Sequence, residues 1–232
     1  KTSEQKNIKF SIPTDVASLD TTILTDQYSY DVAGNVEEGL TRVDSKGNAA
    51  LALAKTIDVS KDGLTYTVTL RDNLKWSNGD KLTAKDFVYS WKRAVDPKTG
   101  SEYAYLMGAV SGANDIISGK SSLDSLGIKA ESDTEFTVTL AQPTPYFKFL
   151  LSEPVYYPLD QKVVDKYGKQ YGTSSDKTVY NGPFMFKSDK GWTGTNKTFS
   201  IYANPNYYDK SAVKSKQIDF QVISNANTGA QL

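Results

Sequence analysis

Residues 75–96 read KWSNGDKLTAKDFVYSWKRAVD, and they carry the clearest structural signal in the chain. Residues 77–80 form a turn cluster, because Asn and Gly tolerate left-handed backbone angles that most residues avoid. Thr83 stands where a helix N-cap is expected, and Asp86 is placed as an acidic variant of the capping box. The helix should end at Asp96, because a residue before proline disfavours helical angles. Its apolar face at helical spacing consists of Phe87, Val88, Trp91, Ala94 and Val95.

Short strands separated by turn residues are predicted on both sides of this helix. Alternation of apolar and polar residues predicts one hairpin from residues 55–60 and 64–70, and a second from residues 128–130 and 135–140. The strings TYTVTL and EFTVTL within them are similar, but no repeat extends beyond them. We interpret them as two strands in similar environments.

The remaining elements are read from the same signals of periodicity, capping and turn residues. Residues 49–54 read as a link of small residues, and residues 155–157 as an extended segment between two prolines. Helices are predicted from about Tyr28 to Leu40 and after an Asp160 cap, and further strands at 8–13, 184–186, 199–202 and 218–223. The whole pattern predicts a mixed α/β (α+β) fold with many β-hairpins.

The composition excludes several classes of function. With 27 basic and 27 acidic residues among 232, the net charge is zero, which argues against nucleic acid or an anionic membrane as a partner. The chain has no histidine and no cysteine, so His-based triads, thiol nucleophiles, His or Cys metal sites and iron–sulfur clusters are excluded. Carboxylate chemistry and a calcium site stay open.

The two ends of the chain and its hydropathy predict a piece of a larger, non-membrane-spanning protein. No apolar run approaches the roughly 18 residues that a bilayer-spanning helix needs. The first seven residues, KTSEQKN, read as a mature or trimmed N-terminus rather than a signal peptide. Residues 224–232 read as a helix start without an apolar face, from which we expect a fragment of something longer.

Two groups of side chains could carry chemistry, but structural roles are favoured for both. An aromatic platform for a sugar or a base could be built from Trp76, Phe87, Tyr89 and Trp91, yet helical spacing favours core packing. An acid and base pair could be drawn from the carboxylates of Asp58, Asp62, Asp72 and Asp80. These aspartates fall in turns and at strand ends, where solvated side chains are expected, so we predict no catalytic residue.

One long run and four short strings resemble a known family. Residues 62–106, DGLTYTVTLRDNLKWSNGDKLTAKDFVYSWKRAVDPKTGSEYAYL, resemble nearly residue for residue the extracytoplasmic oligopeptide-binding proteins of ABC importers, solute-binding protein family 5. The strings SLD (18–20), EGL (38–40), NGPF (181–184) and NPNYYDK (204–210) match that family in the same order. The resemblance extends from about residue 10 to residue 232.

This resemblance implies a domain organisation. It implies a periplasmic-binding-protein type II-like lobe with an inserted, smaller α/β domain. Residues 1–38 and 160–232 would form a first, discontinuous and incomplete domain, and residues 39–159 the inserted second domain. The opposite lobe, which closes over the ligand in such receptors, would be missing from this chain.

The resemblance also implies a function without chemistry. The expected protein is the substrate-binding receptor of a peptide ABC transporter, which captures short, extended peptides and presents them to permease subunits. It would be a monomer without a cofactor, extracytoplasmic, and either periplasmic or a Gram-positive cell-surface lipoprotein anchored by a lipid upstream of this chain. Alternatives are a signalling-peptide (pheromone) receptor of the same fold and, from another class, a carbohydrate-active enzyme or adhesin domain.

The first candidate ligand-binding segment consists of Thr25, Asp26, Gln27 and Tyr28. The resemblance aligns it with the segment that lies along the bound peptide, where backbone groups can pair with an extended ligand. Asp26 is a candidate for holding a peptide ammonium. From the residues alone, a solvated loop before a helix is the alternative interpretation.

The second and third candidate regions are Tyr103 with Tyr105, and Asn181 with Gly182. The resemblance places an aromatic side chain against the ligand near the first pair, and tyrosine combines apolar contact with one hydrogen bond. It places the second pair in a turn at the floor of the cleft, where a glycine lets ligand backbone approach. For Tyr103 and Tyr105, ordinary helix packing is the alternative interpretation. For Asn181 and Gly182, the alternative is a tight turn without a ligand.

Overall fold

The computed structural model describes residues 7–224. The strands in this range are Ile8–Ile12 (β1), Thr41–Val43 (β2), Ala49–Leu51 (β3), Ala54–Val59 (β4), Thr65–Leu70 (β5), Ile128–Ala130 (β6), Glu135–Thr139 (β7), Phe184–Phe186 (β8), Thr198–Ala203 (β9) and Gln217–Val222 (β10). The α-helices are Gln27–Val36 (α1), Ala84–Val95 (α2), Ala113–Ile117 (α3), Phe147–Leu150 (α4) and Gln161–Tyr167 (α5). Short 3-10 helices lie at Ala104–Ala109, Leu123–Ser125, Pro154–Tyr156, Gly168–Gln170, Ser188–Lys190 and Lys210–Ala212. The helix start predicted at 224–232 lies outside the described residues, apart from Ser224.

Helix α2 begins and ends where the sequence predicts. The Oδ2 atom of Asp86 accepts hydrogen bonds from the Thr83 backbone N–H at 3.1 Å and from the Trp76 indole N–H at 3.0 Å. The buried side of the helix includes Phe87 and Trp91, and Trp76 is buried beside them. The assignment of these three aromatic residues to the core is therefore confirmed.

Helix α2 packs on a four-stranded antiparallel sheet with the strand order β4-β5-β7-β6. Both predicted hairpins are present, and their strands join because β5 pairs with β7. These are the strands that contain the two similar strings, and Val68 lies opposite Phe136. The rings of Phe87 and Phe136 stack with centroids 5.2 Å apart, which fixes the helix on the sheet.

A second four-stranded sheet has the order β1-β10-β9-β8. β8 and β9 form an antiparallel pair, and β9 pairs antiparallel with β10 on its other side. β1 lies parallel to β10, so the first and last described strands are neighbours. Helix α1 covers this sheet with the buried side chains Val32 and Val36.

The buried side chains form two main hydrophobic cores. The larger one lies around α2 and the β4-β5-β7-β6 sheet, and its members fall between Leu40 and Val179. The second joins α1 to the β1-β10-β9-β8 sheet and takes its members from Ile12 to Val36 and from Tyr180 to Phe220. A small cluster of Leu159, Val164 and Tyr171 stands beside them.

Three local predictions are wrong. Helix α1 ends at Val36 rather than Leu40, because Glu37 is extended (φ −135, ψ 158) and the Val36 carbonyl accepts hydrogen bonds from other parts of the chain. The predicted link at 49–54 contains β3, which pairs with β2 in a two-stranded sheet. The segment predicted as extended at 155–157 is mostly a 3-10 helix, held by a 2.9 Å hydrogen bond from Trp91 Nε1 to the Tyr156 carbonyl.

None of the helices among residues 7–224 combines the length and the apolar character needed to cross a membrane.

Candidate functional site

Helix α1 begins directly after the first candidate segment, because Asp26 caps it. The Asp26 backbone is extended (φ −114, ψ 149), and its Oδ2 atom accepts a 3.0 Å hydrogen bond from the Ser29 N–H. This bond satisfies one of the free N–H groups of the first helical turn. The other carboxylate oxygen, Oδ1, is buried and has no hydrogen-bond partner among residues 7–224. The preceding residue, Thr25, is exposed.

Three tyrosines lie beside this segment, and we call Tyr30, Tyr103 and Tyr105 the tyrosine cluster. The ring centroids are 6.2 Å apart between Tyr30 and Tyr103, and 5.9 Å apart between Tyr103 and Tyr105. The Tyr103 hydroxyl lies 3.5 Å from the Thr25 carbonyl oxygen, at the outer limit of a hydrogen bond. Tyr105 is 64% exposed. The fold thus brings Thr25 and Asp26 together with both tyrosines predicted from a distant stretch.

Tyr30 was not among the residues predicted from the sequence. Its hydroxyl donates a 2.8 Å hydrogen bond to the Leu24 carbonyl. Burial raises the pKa of Tyr30, and Tyr103, Glu153 and Asp26 raise it further because they oppose another negative charge. Glu153 is an exposed residue just before the 3-10 helix Pro154–Tyr156. The surface around the tyrosine cluster is therefore both aromatic and acidic.

The other two residues of the first segment already have partners within the chain. The Gln27 side-chain amide donates a 2.8 Å hydrogen bond to Asp31 Oδ1 on the exposed side of α1. Tyr28 packs against the core of the β1-β10-β9-β8 sheet. Of the four predicted residues, Thr25 and Asp26 are therefore the ones placed next to the tyrosine cluster.

Asn181 is buried and holds the chain just after α1. Its Nδ2 group donates to the Glu38 carbonyl at 3.1 Å, and its Oδ1 atom accepts from the Glu38 N–H at 2.9 Å. The backbone N–H groups of Asn181 and Gly182 both donate to the Val36 carbonyl, at 3.2 and 2.9 Å. These bonds explain why α1 stops at Val36.

Gly182 makes a close backbone approach, but not the expected one. A Cβ atom at this position would lie 2.6 Å from the Val36 carbonyl carbon and 2.7 Å from the Glu37 nitrogen. The space that the missing side chain leaves is therefore filled by the chain's own backbone, where we expected a ligand. This corrects the physical reason given for the glycine.

The predicted residues thus fall into two places, one at each end of α1. Thr25, Asp26, Tyr103 and Tyr105 lie at its N-terminal end, whereas Asn181 and Gly182 lie at its C-terminal end. Since α1 has 10 residues, the two places are separated by about 15 Å along the helix axis.

A second group of titratable side chains lies where the starts of α2 and α5 meet. The Asn78 amide donates to Asp80 Oδ2 at 3.1 Å and to Asp160 Oδ2 at 3.4 Å. Burial raises the pKa of Asp160 to about 6, and a hydrogen bond with Asp160 lowers the pKa of Asp80. Burial also raises the pKa of Asp86 to about 6. Asp80 is therefore not the simple solvated carboxylate that the sequence suggests.

Two cavities of the described chain lie away from the tyrosine cluster. One of about 1090 Å³ is lined by a face of the β1-β10-β9-β8 sheet and by residues near Trp192. Another of about 390 Å³ lies between α5 and β8. At the candidate site, Thr25 and Tyr105 are exposed, and Tyr30 and Tyr103 are partly buried. Within residues 7–224, no group of three acidic side chains is arranged to hold a metal ion.

Comparison with known proteins identifies the family. Residues 48–232 match the family described as "Bacterial extracellular solute-binding proteins, family 5 Middle". The chain belongs to this family. Among curated relatives, the "Dipeptide-binding protein" of Lactococcus lactis subsp. cremoris is 97% identical over 232 residues, which are all of this chain and 42% of that protein. The resemblance stated from the sequence is therefore confirmed.

Solved structures of similar proteins confirm the mixed α/β fold of the lobe. Listeria monocytogenes OppA bound to peptide matches with a TM-score of 0.93 and 41% identity, over 99% of this chain and 45% of that one. The pheromone receptor PrgZ matches with a TM-score of 0.91 and 41% identity, over 99% of this chain and 45% of that one. The chain spans about two fifths of the length of the curated relatives it matches.

Proposed function

We propose that the chain is part of the substrate-binding receptor of a peptide ABC transporter. The observation that carries this proposal is the likeness to OppA bound to peptide, with a TM-score of 0.93 over 99% of the chain. The receptor captures short peptides in extended form and delivers them to a membrane permease. It binds without chemistry, in keeping with a family of solute-binding proteins.

Ligand contact is proposed for the N-terminal end of α1. The exposed residue Thr25 and the extended backbone at Asp26 offer main-chain groups to an extended peptide. Tyr103 and Tyr105 supply contact surface that is apolar and can also form hydrogen bonds. Gln27 belongs to the same exposed edge. Tyr28, Asn181 and Gly182 act indirectly, because their contacts hold α1 in place.

The domain organisation proposed for the receptor follows the sequence expectation. Residues 1–38 and 160–232 belong to a discontinuous first domain, and residues 39–159 to an inserted second domain. The two separate hydrophobic cores support this division. In a receptor of the relatives' length, an opposite lobe closes over the peptide by a hinge motion, and the permease recognises the closed state.

The proposed receptor acts outside the cytoplasm as a monomer. Its family is described as extracellular, and a lipid anchor upstream of this chain would hold it at the surface of a Gram-positive cell. A periplasmic location is the alternative. Its partners are the transmembrane subunits of an ABC permease, and no cofactor is required.

A signalling-peptide receptor is the second candidate function. The observation in its favour is the TM-score of 0.91 to the pheromone receptor PrgZ, at the same 41% identity as to OppA. Both candidates bind peptides between two lobes, and they differ in how narrow the range of accepted peptides is.

Isothermal titration calorimetry on a full-length receptor that contains this sequence tests the proposal. One titration uses a pool of random di- to hexapeptides and the other a pool of oligosaccharides. We expect heat only from the peptides, with dissociation constants near 1 μM, or about −8 kcal/mol. Binding of a single peptide from the pool would favour the pheromone receptor. Sugar binding without peptide binding would disprove both candidates.

A further inference from the structure

The candidate ligand surface is assembled from both hydrophobic cores. Thr25 lies just before α1 and Tyr30 lies within it, and α1 belongs to the core of the β1-β10-β9-β8 sheet. Tyr103 directly precedes the 3-10 helix Ala104–Ala109, whose Met107 is buried in the larger core. The two sides meet where the Tyr103 hydroxyl lies 3.5 Å from the Thr25 carbonyl oxygen. The geometry of the surface therefore depends on how the two cores are oriented toward each other.

The chain crosses from one core to the other at the C-terminal end of α1. Val36 is buried in the core of the β1-β10-β9-β8 sheet, and Leu40 is buried in the larger core. Between them, the backbone of Glu38 is held by both polar groups of the Asn181 side chain. A Cβ atom at Gly39 would lie 2.8 Å from a backbone carbonyl oxygen, so the crossing is tightly enclosed.

The side chain of Glu38 joins groups from the two sides of this crossing. Its Oε1 atom accepts a 3.0 Å hydrogen bond from the hydroxyl of Tyr207, which lies in the loop after β9. The same oxygen lies 3.3 Å from Nη1 of Arg42 on β2. β2 contacts α4, whose Phe147 belongs to the larger core. One carboxylate therefore connects the β1-β10-β9-β8 sheet to the side of the larger core.

This connection costs free energy, which favours orientation rather than stability as its role. Glu38 is 5% exposed, and its Oε2 atom is buried without a hydrogen-bond partner among residues 7–224. Burial raises the pKa of Glu38, although Arg42 and Tyr207 lower it, so desolvation outweighs the partners of the carboxylate. A buried polar group of this kind can still select one arrangement of packed elements, because other arrangements leave it with fewer partners.

We propose that Glu38 is a positioning residue for the candidate ligand surface. It fixes the orientation of the two cores through Tyr207 and Arg42, and so sets how Thr25 and Tyr103 face each other. It acts from the far end of α1, about 15 Å along the helix axis. Where it concerns peptide affinity, this inference rests on the proposed function. The orientation of the two cores is a property of the chain that is measured without a ligand.

Distances between two spin labels test the orientation on a full-length receptor that contains this sequence. The sequence has no cysteine, and any cysteine elsewhere in the receptor is replaced by serine. Lys55→Cys on β4 and Gln221→Cys on β10 then place one label at an exposed position of each four-stranded sheet. In Glu38→Met, we expect a distance distribution about 1.5-fold broader than in the parent. The ion pair of Arg93 with Asp20 remains, so the two sides stay together.

Two further variants separate positioning from a general loss of structure. Tyr207→Phe removes only the hydroxyl that binds Glu38, so it should broaden the distribution in part, and it keeps the test decisive if Glu38→Met does not fold. Glu131→Met is the matched control, since it makes the same change at an exposed position and should leave the distribution unchanged. Urea unfolding should show Glu38→Met to be at least as stable as the parent. A merely stabilising residue would instead give lower stability with an unchanged distribution.

Calorimetry with the peptide pool measures the consequence for the ligand. Glu38→Met should weaken peptide binding by about fivefold, whereas Glu131→Met should not change it. An unchanged distance distribution in Glu38→Met and Tyr207→Phe would overturn the inference, whatever the peptide affinity. A broader distribution with unchanged affinity would also overturn it, because the candidate surface would then not depend on the orientation. If the parent binds no peptide, the proposed function fails, and the distances still decide whether Glu38 fixes the orientation.

Discussion

Arg93 of α2 and Asp20, which precedes α1, form a bidentate ion pair. Arg93 Nη1 lies 2.9 Å from Asp20 Oδ1, and Nη2 lies 2.7 Å from Oδ2. The Asp20 residue is 3% exposed. The pair therefore ties the central helix of the larger core to the segment that leads into the candidate site, and both partners lie in strings that carry the family resemblance.

Replacing Arg93 should destabilise the chain strongly. In Arg93→Ala, the buried Asp20 carboxylate loses its counter-charge, and we expect the free energy of unfolding to fall by about 3–5 kcal/mol. Arg93→Lys should lower the free energy of unfolding by less, because lysine keeps the positive charge but cannot form the bidentate contact. Lys92→Ala is the matched control: its partner Asp124 is exposed, so the loss should stay below about 1 kcal/mol. Urea unfolding measures all three, and equal losses for Arg93→Ala and Lys92→Ala would contradict the prediction.

Two glycines near the C-terminal end of α1 should respond to alanine in opposite directions. In Gly182→Ala, the new Cβ atom would collide with the backbone of Val36 and Glu37, at a cost of about 1–3 kcal/mol. In Gly34→Ala, the Cβ atom meets nothing within 4 Å on an exposed part of the helix. That change should stabilise the chain by about 0.5–1 kcal/mol. Thermal unfolding should show a lower Tm for the first variant and a higher Tm for the second.

Stability should rise as the pH falls from about 6 to about 4. The pKa values of Asp86 and Asp160 are raised to about 6 in the folded chain, above the ordinary value of 3.8. The folded state therefore holds protons that the unfolded state releases, and it is penalised above pH 6. Protonation removes this penalty within the window. Below it, the lowered pKa of Asp80 acts in the opposite direction.

Asp160→Asn isolates one part of this effect. Asparagine stays neutral and can cap α5, so the variant should be more stable than the parent at pH 7, by about 1–2 kcal/mol. Its stability should also rise less between pH 6 and pH 4. Urea unfolding across this pH range measures both, with Asp58→Asn as an exposed control. An unchanged slope in Asp160→Asn would show that its carboxyl does not take up the proton.

The 232-residue chain alone should bind peptides more weakly than a receptor of the relatives' length. Thr25 and Tyr105 of the candidate surface are exposed on the described chain, whereas small-ligand sites usually bury most of the ligand surface. We expect an affinity at least about tenfold lower for the 232 residues, or about 1.4 kcal/mol. Calorimetry of both proteins with the same peptide measures the difference. Low-micromolar binding by the shorter chain would place the whole site on this half.

Local signals explain which parts of the fold were predictable. The turn, cap and apolar face of α2 all lie within residues 75–96, so the sequence specifies them together. β2 and β3 were missed because they are only 3 residues long each, and β3 consists of two alanines and a leucine, which carry little strand preference. Proline at Pro154 is compatible with an extended chain or a helix start, and the buried Tyr156 side chain decides for the helix.

Contacts between distant residues explain what was not predictable. The end of α1 depends on hydrogen bonds from the backbone of Asn181 and Gly182, which lie far along the chain. No residue next to Val36 in the sequence signals a helix end. Tyr30 belongs to no motif, and it joins the candidate site only because the fold places it beside Tyr103. Glu153 also belongs to no motif, and the fold brings it near enough to Tyr30 to raise the pKa of that tyrosine. Sequence resemblance found Thr25, Asp26, Tyr103 and Tyr105, whereas their mutual proximity required the structure.

The parallel pairing of β1 with β10 affects the order in which the chain can fold during synthesis. Among the described strands, β1 leaves the ribosome first, and its partner emerges after nearly all the rest of the described chain. The β4-β5-β7-β6 sheet needs only strands between Ala54 and Thr139, so it can form while β1 is still unpaired. Closing the longer loop also costs more entropy. Of the described strands, β1 is therefore made first but paired late, and Ile8 and Phe10 stay uncovered by β10 until the residues of β10 have been made.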